Sequence, residues 1–456
     1  MTIFHEVRFT GSRSGSAPLT WGQVCIWDEA KTFAPNHAHF NLCALVDVPE
    51  SMTVPAALTA LRTFLEGRES LRTRFSGAAD GELHQYVPLE GRIQVTERQA
   101  SSKDTRAAAN ALMTELHEVP FSLDGFPVSA GLITCEGRPR HIVLVVFHLA
   151  ADGWDMANLA AELERLVATP AAGREPIPPR RHPLDQAARE QSVKGQAASQ
   201  QSVRYWKSQL AAAPSDMFSG RTATPESPRF QEVYLESQAL AAAIRALAGE
   251  FRVSPATVFL ALASILLCRL SGESRSFFLL GCHNRVSQSD RQATGTFAQD
   301  APFSVDVSDA DLGEVVHRTF RATMAAYAAA RWDPAHVEAA ISEVTKQRGR
   351  QVDLSCNVNV TLGMGVLDTG PAEPISQGNV TAEHVEALRS RTRITDRLGT
   401  AQDRVGRRFF LRAHDSGNAV VMSLRTDTSV LTSGDIIGFL KSVEDLAVRA
   451  WLGDAS

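Results

Sequence analysis

An uninterrupted apolar run, Ile142 to Phe147, passes into His148-Leu149-Ala150-Ala151-Asp152-Gly153-Trp154 and then into an amphipathic stretch from Met156 to Val167. The first run reads as a buried strand, and the last as a helix with Met156, Leu159, Ala160, Leu163, Leu166 and Val167 on one stripe. A histidine is thus delivered at the end of a strand, and four residues later an aspartate and a glycine open a helix. Aspartate there is favoured by the helix macrodipole and caps the first N–H groups. Gly153 lets a ligand approach the backbone closely. An imidazole beside helix-start N–H groups has the form of a general base beside an oxyanion site. The competing reading is that His148 is a satisfied structural residue, the commoner fate of a histidine closing an apolar strand. Trp154 reads as a packing residue of the new helix.

The remaining pattern is mixed α/β in two stretches. Pro55 to Gly67 carries Ala57, Leu58, Leu61, Phe64 and Leu65 at helical spacing. Leu132 to Cys135 and Ile142 to Phe147 flank Glu136 to Arg140 as a hairpin. Residues 169 to 183 are proline-rich and read as a linker, after which the mixed pattern restarts. Ser254 and Pro255 open a helix that runs to about Leu270 and closes at Gly272. Phe277 to Cys282 reads as a buried strand. Alternation from Val352 to Leu362 predicts an eleven-residue strand with one dry and one polar face. Residues 366 to 407 are polar and arginine-rich and read as a long excursion of high mobility.

Composition narrows the function classes. The 456 residues suffice for two ordinary domains, and 51 acidic against 46 basic residues give a net charge of −5. That balance offers no electrostatic case for nucleic acid. The longest apolar run, near Val258 to Leu270, is shorter than the ~18–20 residues a bilayer span needs and reads as a core helix. The N-terminal residues lack the pattern of a secretory signal. Six cysteines, none in a CxxC, read as buried apolar residues in a reducing compartment, which places the protein in the cytoplasm. His37 and His39 would lie on one face of a strand, but no third ligand is near and no metal site is expected. Gly363-Met364-Gly365 lacks the rest of a dinucleotide loop, and there is no GxSxG or P-loop.

The segment Phe147 to Trp154 resembles the HHxxxDG motif of nonribosomal peptide synthetase condensation domains, with Phe147 at the first histidine. Pro18-Leu19-Thr20-Trp21-Gly22-Gln23 is similar to the PLSxAQ segment of that family, and Gly67 to Phe75 to its RHExLRTRF segment. Gly281 to Arg285, with Gly295-Thr296-Phe297, Pro302 and Val305, resembles its glycine, arginine and GxFVNTxPxR region. The matches at His182 to Gln186 and Trp332 to Pro334 are degraded, which suits a divergent, free-standing member.

The resemblance implies an α/β (α+β) fold of two chloramphenicol-acetyltransferase-like lobes in a V with a tunnel between them. The lobes are expected at 1–175 and 176–456, with a crossover segment near 366–407. It implies a condensation enzyme of nonribosomal-peptide-like biosynthesis, joining a carrier-bound acyl or aminoacyl thioester to an amine or hydroxyl. His148 would deprotonate or position the nucleophile, and the Gly153 N–H would steady the oxyanion. Asp152 would be structural and pair with Arg285, and Phe147 would extend the strand. No cofactor is held by the chain; the phosphopantetheine arm belongs to a partner acyl or peptidyl carrier protein, and the acceptor is a small molecule or a second carrier-bound group. No nucleic-acid or membrane partner is implied, and a monomer is expected. The rivals are a coenzyme A-dependent acyltransferase of the same fold and a non-catalytic carrier-binding protein.

Overall fold

Strands rich in β-branched residues alternate with helices that open on Thr, Ser or Asp. A computed structural model describes residues 2–77, 83–169, 180–363, 382–396 and 407–453. In chain order the elements are β1 (Thr2–Thr10), β2 (Gly15–Pro18), α1 (Trp21–Ala30), β3 (Asn41–Asp47), α2 (Val54–Glu66), α3 (Glu69–Arg72), β4 (Arg74–Gly77), β5 (Leu83–Val87), β6 (Glu90–Gln99), α4 (Thr105–His117), β7 (Val128–Cys135), β8 (Arg138–Phe147), α5 (Gly153–Ala168), α6 (Pro183–Gln191) and α7 (Val193–Ala212). They continue as β9 (Phe230–Ser237), α8 (Gln238–Phe251), α9 (Pro255–Ser271), β10 (Arg275–Cys282), α10 (Gln288–Arg291), β11 (Gln299–Asp306), α11 (Leu312–Ala328), α12 (Pro334–Arg348), β12 (Cys356–Val360), α13 (Ala382–Arg389), β13 (Arg393–Asp396), β14 (Phe409–Ser416), β15 (Ala419–Asp427) and α14 (Ser433–Trp451). Two compact units result: Met1–Ala198 with His283–Gln299, and Ser199–Cys282 with Asp300–Ser456.

The first unit is built on a five-stranded sheet in the order β1-β6-β7-β8-β3. Strand β8 is apolar throughout its second half because both of its faces are covered. Ile142, Leu144 and Val146 join a core with Leu61 and Phe64 of α2 and Leu159 and Leu163 of α5. Val143 and Val145 join Ala109 and Leu112 of α4 on the other face. The β7–β8 turn places Glu136 and Gly137 at φ 52° and 74°, the left-handed region that glycine enters at no steric cost. Thr53 caps α2 by accepting the Ala56 N–H, with Pro55 in the first turn. A three-stranded sheet, β2-β5-β4, completes this unit.

The second unit carries a seven-stranded sheet in the order β11-β10-β12-β14-β15-β9-β13. β10, β12 and β14 run parallel, and β14, β15, β9 and β13 antiparallel. Helices α8, α9 and α14 pack against it. Ser254 caps α9, and Gly272 ends it. Twelve of the seventeen residues of α9 are buried, so the longest apolar run is a core helix. No single described helix is long and apolar enough to cross a membrane; α8 and α9 match a span together but are bent by 105° at their break.

Several expectations change. The alternating stretch 352–362 forms a strand only over Cys356–Val360. Before it, the Asp353 carboxylate accepts the Ser355 N–H and hydroxyl and pairs with Arg408, and this local bonding replaces a ladder. His37 and His39 are not on a strand: Ala38–Phe40 is a single 3-10 turn, and His37 Nε2 bonds the Phe121 carbonyl. Pro183 opens α6 instead of extending the linker. Residues 170–179 of that linker, and 366–381 and 397–406 of the expected excursion, lie outside the described residues, as do Met364 and Gly365. None of the six cysteines is in a disulfide; four are buried, and Cys25 and Cys43 are half-buried.

Leu163 is fully buried between α5 and the first sheet. Leu163→Ala is expected to cost about 2–5 kcal/mol in urea unfolding, as large-to-small core changes do.

Candidate active site

The junction after β8 is set by what its residues must satisfy. Phe147 is buried with Leu19, Phe40, Phe75 and Leu149, stacks on Phe121 at 6.0 Å and lies 5.1 Å from His37. It thus anchors the end of the strand by packing alone. His148 next to it is half-buried. Its N–H donates to the Phe40 carbonyl at 3.1 Å, and its own carbonyl accepts the Thr296 hydroxyl. Its Nδ1 is enclosed without a hydrogen-bond partner among the described residues. Burial lowers the imidazole pKa from its ordinary 6.5, opposed more weakly by the Asp152 and Glu29 charges. The ring is therefore neutral at pH 7, the form in which it accepts a proton.

Asp152 caps α5: its Oδ1 accepts the Asp155 N–H at 2.9 Å. Its Oδ2 accepts Arg285 Nη1 at 2.5 Å, the Phe297 N–H at 2.9 Å and the Ala298 N–H at 3.1 Å. Burial alone would raise this carboxyl, but the Arg285 charge and these donors outweigh it and hold its pKa below the usual range. Arg285 is 0% exposed. Its Nη1 also reaches the His283 carbonyl, its Nη2 donates to the Gly295 carbonyl at 2.8 Å, and it lies 4.8 Å from the Phe297 ring. Trp154 stacks on His283 at 4.8 Å and donates to the Arg291 carbonyl, pinning the segment that carries Arg285.

Four residues that bear on the site escaped the sequence reading as site residues. Thr296 links His148 to Thr20, whose hydroxyl donates to the Thr296 carbonyl at 3.1 Å. Gly22 lies so close that a Cβ there would stand 2.5 Å from that same carbonyl. Gly295 has φ 117°, a conformation that admits little but glycine. Asp155 is 0% exposed and accepts the Gly295 N–H at 2.7 Å through Oδ2, leaving Oδ1 without a partner among the described residues. Burial pushes its pKa up to about 7, with Asp152 adding to the rise and Arg285 opposing it. Gly22, Gly295 and Thr296 lie in the family-like segments, and Asp155 left a signal of its own, an acidic side chain three positions after the cap.

The N–H groups of Gly153 and Trp154 take no part in the cap, and Gly153 is exposed. A Cβ at Gly153 would meet nothing within 4 Å, so the fold does not require glycine there. Among the described residues no cluster of three or more His, Cys, Asp or Glu could hold a metal ion. A neutral imidazole and a helix N-terminus on one strand-to-helix turn can move a proton and steady a developing oxyanion.

Asp152→Asn leaves the Arg285 charge buried without its carboxylate and should cost about 3–5 kcal/mol in chemical denaturation. Asp155 behaves oppositely. The folded chain keeps its proton up to about pH 7, whereas the unfolded chain releases it near 3.8. Its contribution to stability is therefore complete below pH 3.8 and lost as pH rises to about 7. Asp155→Asn should match the parent near pH 3.5 and melt progressively higher than the parent as pH rises to 8.

The family model described as Condensation domain matches residues 14–359, a span that includes His148, Asp152 and Arg285. Malpibaldin synthetase of Mortierella alpina is 24% identical over 337 residues, 71% of this chain, and the chain spans only 6% of that protein. A condensation domain of the enacyloxin polyketide synthase, described in connection with chain release, superposes with a TM-score of 0.73 at 17% identity, over 98% of this chain and 84% of that one. A variant of the starter condensation domain of rhizomide synthetase RzmA, in complex with C8-CoA, superposes with a TM-score of 0.68 at 17% identity, over 97% and 96%. These likenesses give the chain the mixed α/β fold of condensation domain structures, and the extent of the family match makes it a member of the condensation domain family.

Proposed function

We propose that the chain transfers an acyl or aminoacyl group from a thioester on the phosphopantetheine arm of a carrier protein to an amine or hydroxyl. His148 accepts the proton as the nucleophile attacks the thioester carbonyl. The Gly153 N–H steadies the tetrahedral oxyanion, and collapse expels the thiolate, which takes up the proton. Asp152 and Arg285 position this turn, Phe147 anchors the strand that delivers His148, and Trp154 holds the His283 segment against α5. The observation that carries the reading is a half-buried imidazole, its pKa lowered by burial, four residues before the Asp152 cap of α5, in a chain of the condensation domain family.

A second reading has a specific motive. The rhizomide synthetase starter domain was captured with C8-CoA, so coenzyme A itself is a candidate donor arm for the same chemistry. Turnover of octanoyl-CoA without any carrier protein would favour it.

His148→Ala should lower transfer from an acylated carrier ~10²–10⁴-fold, read by intact-mass spectrometry of the carrier and product. An unchanged rate would remove the base role, whereas tight carrier binding with no product, unaffected by His148→Ala, would leave a binding module. Gly153→Ala separates function from folding, since nothing within 4 Å obstructs the added methyl. We expect an unchanged or slightly higher melting temperature and a clear fall in turnover. Because the imidazole pKa lies below 6.5, the acid limb of kcat/KM should fall below pH 6.5, with no loss between pH 7 and 8 from this group.

A further inference from the structure

Between the end of β8 and the start of α5 the chain has no ladder to receive its carbonyls. The Phe147 carbonyl accepts the Ala150 N–H at 2.8 Å, and the Asp152 carbonyl accepts the Met156 N–H at 2.8 Å. The His148 and Leu149 carbonyls take no backbone donor among the described residues. Side chains from distant segments meet both. The Thr296 hydroxyl donates to the His148 carbonyl, and Gln23 Nε2 donates to the Leu149 carbonyl at 3.1 Å. A carbonyl turned into the fold needs such a donor, and losing it is costly.

Thr296 is itself held from every side. It is 0% exposed. Its carbonyl accepts the Thr20 hydroxyl at 3.1 Å, and the Gly22 backbone closes on the same oxygen. Before it, Gly295 is bound through its N–H to Asp155 and through its carbonyl to Arg285. After it, the Phe297 and Ala298 N–H groups donate to Asp152. A β-branched side chain on so fixed a backbone has little rotational freedom, so its hydroxyl is aimed in advance. All of these residues belong to the first unit.

The two peptide groups that flank the His148 Cα are therefore each held by one bond: the N–H by the Phe40 carbonyl at 3.1 Å, the carbonyl by Thr296. The ring has no comparable tether, since Nδ1 lacks a hydrogen-bond partner among the described residues. Its direction follows from the backbone that carries it.

We propose that Thr296 is a positioning residue for His148, holding the His148 carbonyl so that the imidazole leaves the backbone at a fixed angle. It acts through the main chain and touches no reacting atom. Its effect on rate rests on the transfer reading; its effect on the ring does not.

Paired substitutions test it. Thr296→Val keeps the side-chain shape and removes the donor; Thr296→Ser keeps the donor and removes a buried methyl. The turn retains its bonds from Asp152, Gln23 and Phe40 in both, and circular dichroism checks the fold. With an acylated carrier, Thr296→Val should lower kcat about 10-fold, the order of one lost hydrogen bond, with KM little changed. Thr296→Ser should keep kcat near the parent's while melting lower, an ordering that a purely structural role does not produce. Should the valine variant not fold, Thr296→Ala takes its place and must show the fall in rate that serine escapes. Added to His148→Ala, Thr296→Val should cause no further loss. In chain labelled with 13C,15N-histidine, the His148 resonance, assigned by its absence from His148→Ala, should move or split in Thr296→Val and stay in place in Thr296→Ser. A serine variant as slow as the valine one, a full further loss on top of His148→Ala, or an unmoved His148 resonance in Thr296→Val would each overturn the assignment. If His148→Ala kept the parent rate, the transfer reading would fall, and the resonance alone would decide whether Thr296 sets the ring.

Discussion

The buried pair of Asp152 and Arg285 organises the first unit around its strand-to-helix turn. A single carboxylate accepts the Asp155 N–H at the helix start and, through its other oxygen, a guanidinium and two consecutive backbone N–H groups from residues 133 to 146 positions away in sequence. Neither partner could be buried alone, because an unpaired charge in this setting is costly. Together they tie the segment 283–299 to the turn, and the tie is completed by Arg285 on the Gly295 carbonyl and Thr296 on the His148 carbonyl. The position of the imidazole is therefore a consequence of where a carboxylate could be satisfied.

Close packing around that segment leaves little freedom. Gly22 touches the Thr296 carbonyl at a spacing that excludes any Cβ, and Gly295 takes a backbone conformation suited to glycine. Asp155 presents the opposite tendency: a second carboxylate three residues after the cap, enclosed and with only one oxygen satisfied, whose ionisation the surroundings resist. The arrangement has one charge that it requires and one that it resists, both within the first turn of α5.

Local signals were legible in the sequence to the extent that the forces behind them are local. The apolar run of β8, the caps of α2, α5 and α9 and the β7–β8 turn follow from residue type and spacing. Arg285 came from resemblance, since nothing in spacing links positions 152 and 285. Thr296 and Gly22 stand in segments that carry the resemblance, but their contacts with the turn stayed invisible for the same reason: those contacts span more than 100 residues. The overlong strand at 352–362 shows the converse failure. Its alternation is real, but Asp353 and Ser355 satisfy each other locally, so the ladder begins only at Cys356.

The electrostatics of the turn also decide what His148 can be. A free carboxylate four residues on would favour the charged imidazolium and raise its pKa. Here that carboxylate is matched at 2.5 Å by a guanidinium of opposite charge, and its remaining capacity is occupied by backbone donors. The field of Asp152 at the ring is accordingly weaker than the effect of burial, which prevails and keeps the imidazole neutral. Pairing Asp152 with Arg285 thus limits the pull of that carboxylate on the imidazole four residues before it, and burial decides the direction of the shift. A histidine on the same backbone without Arg285 would sit beside an unbalanced negative charge, would hold its proton more tightly, and would be a poorer acceptor at neutral pH.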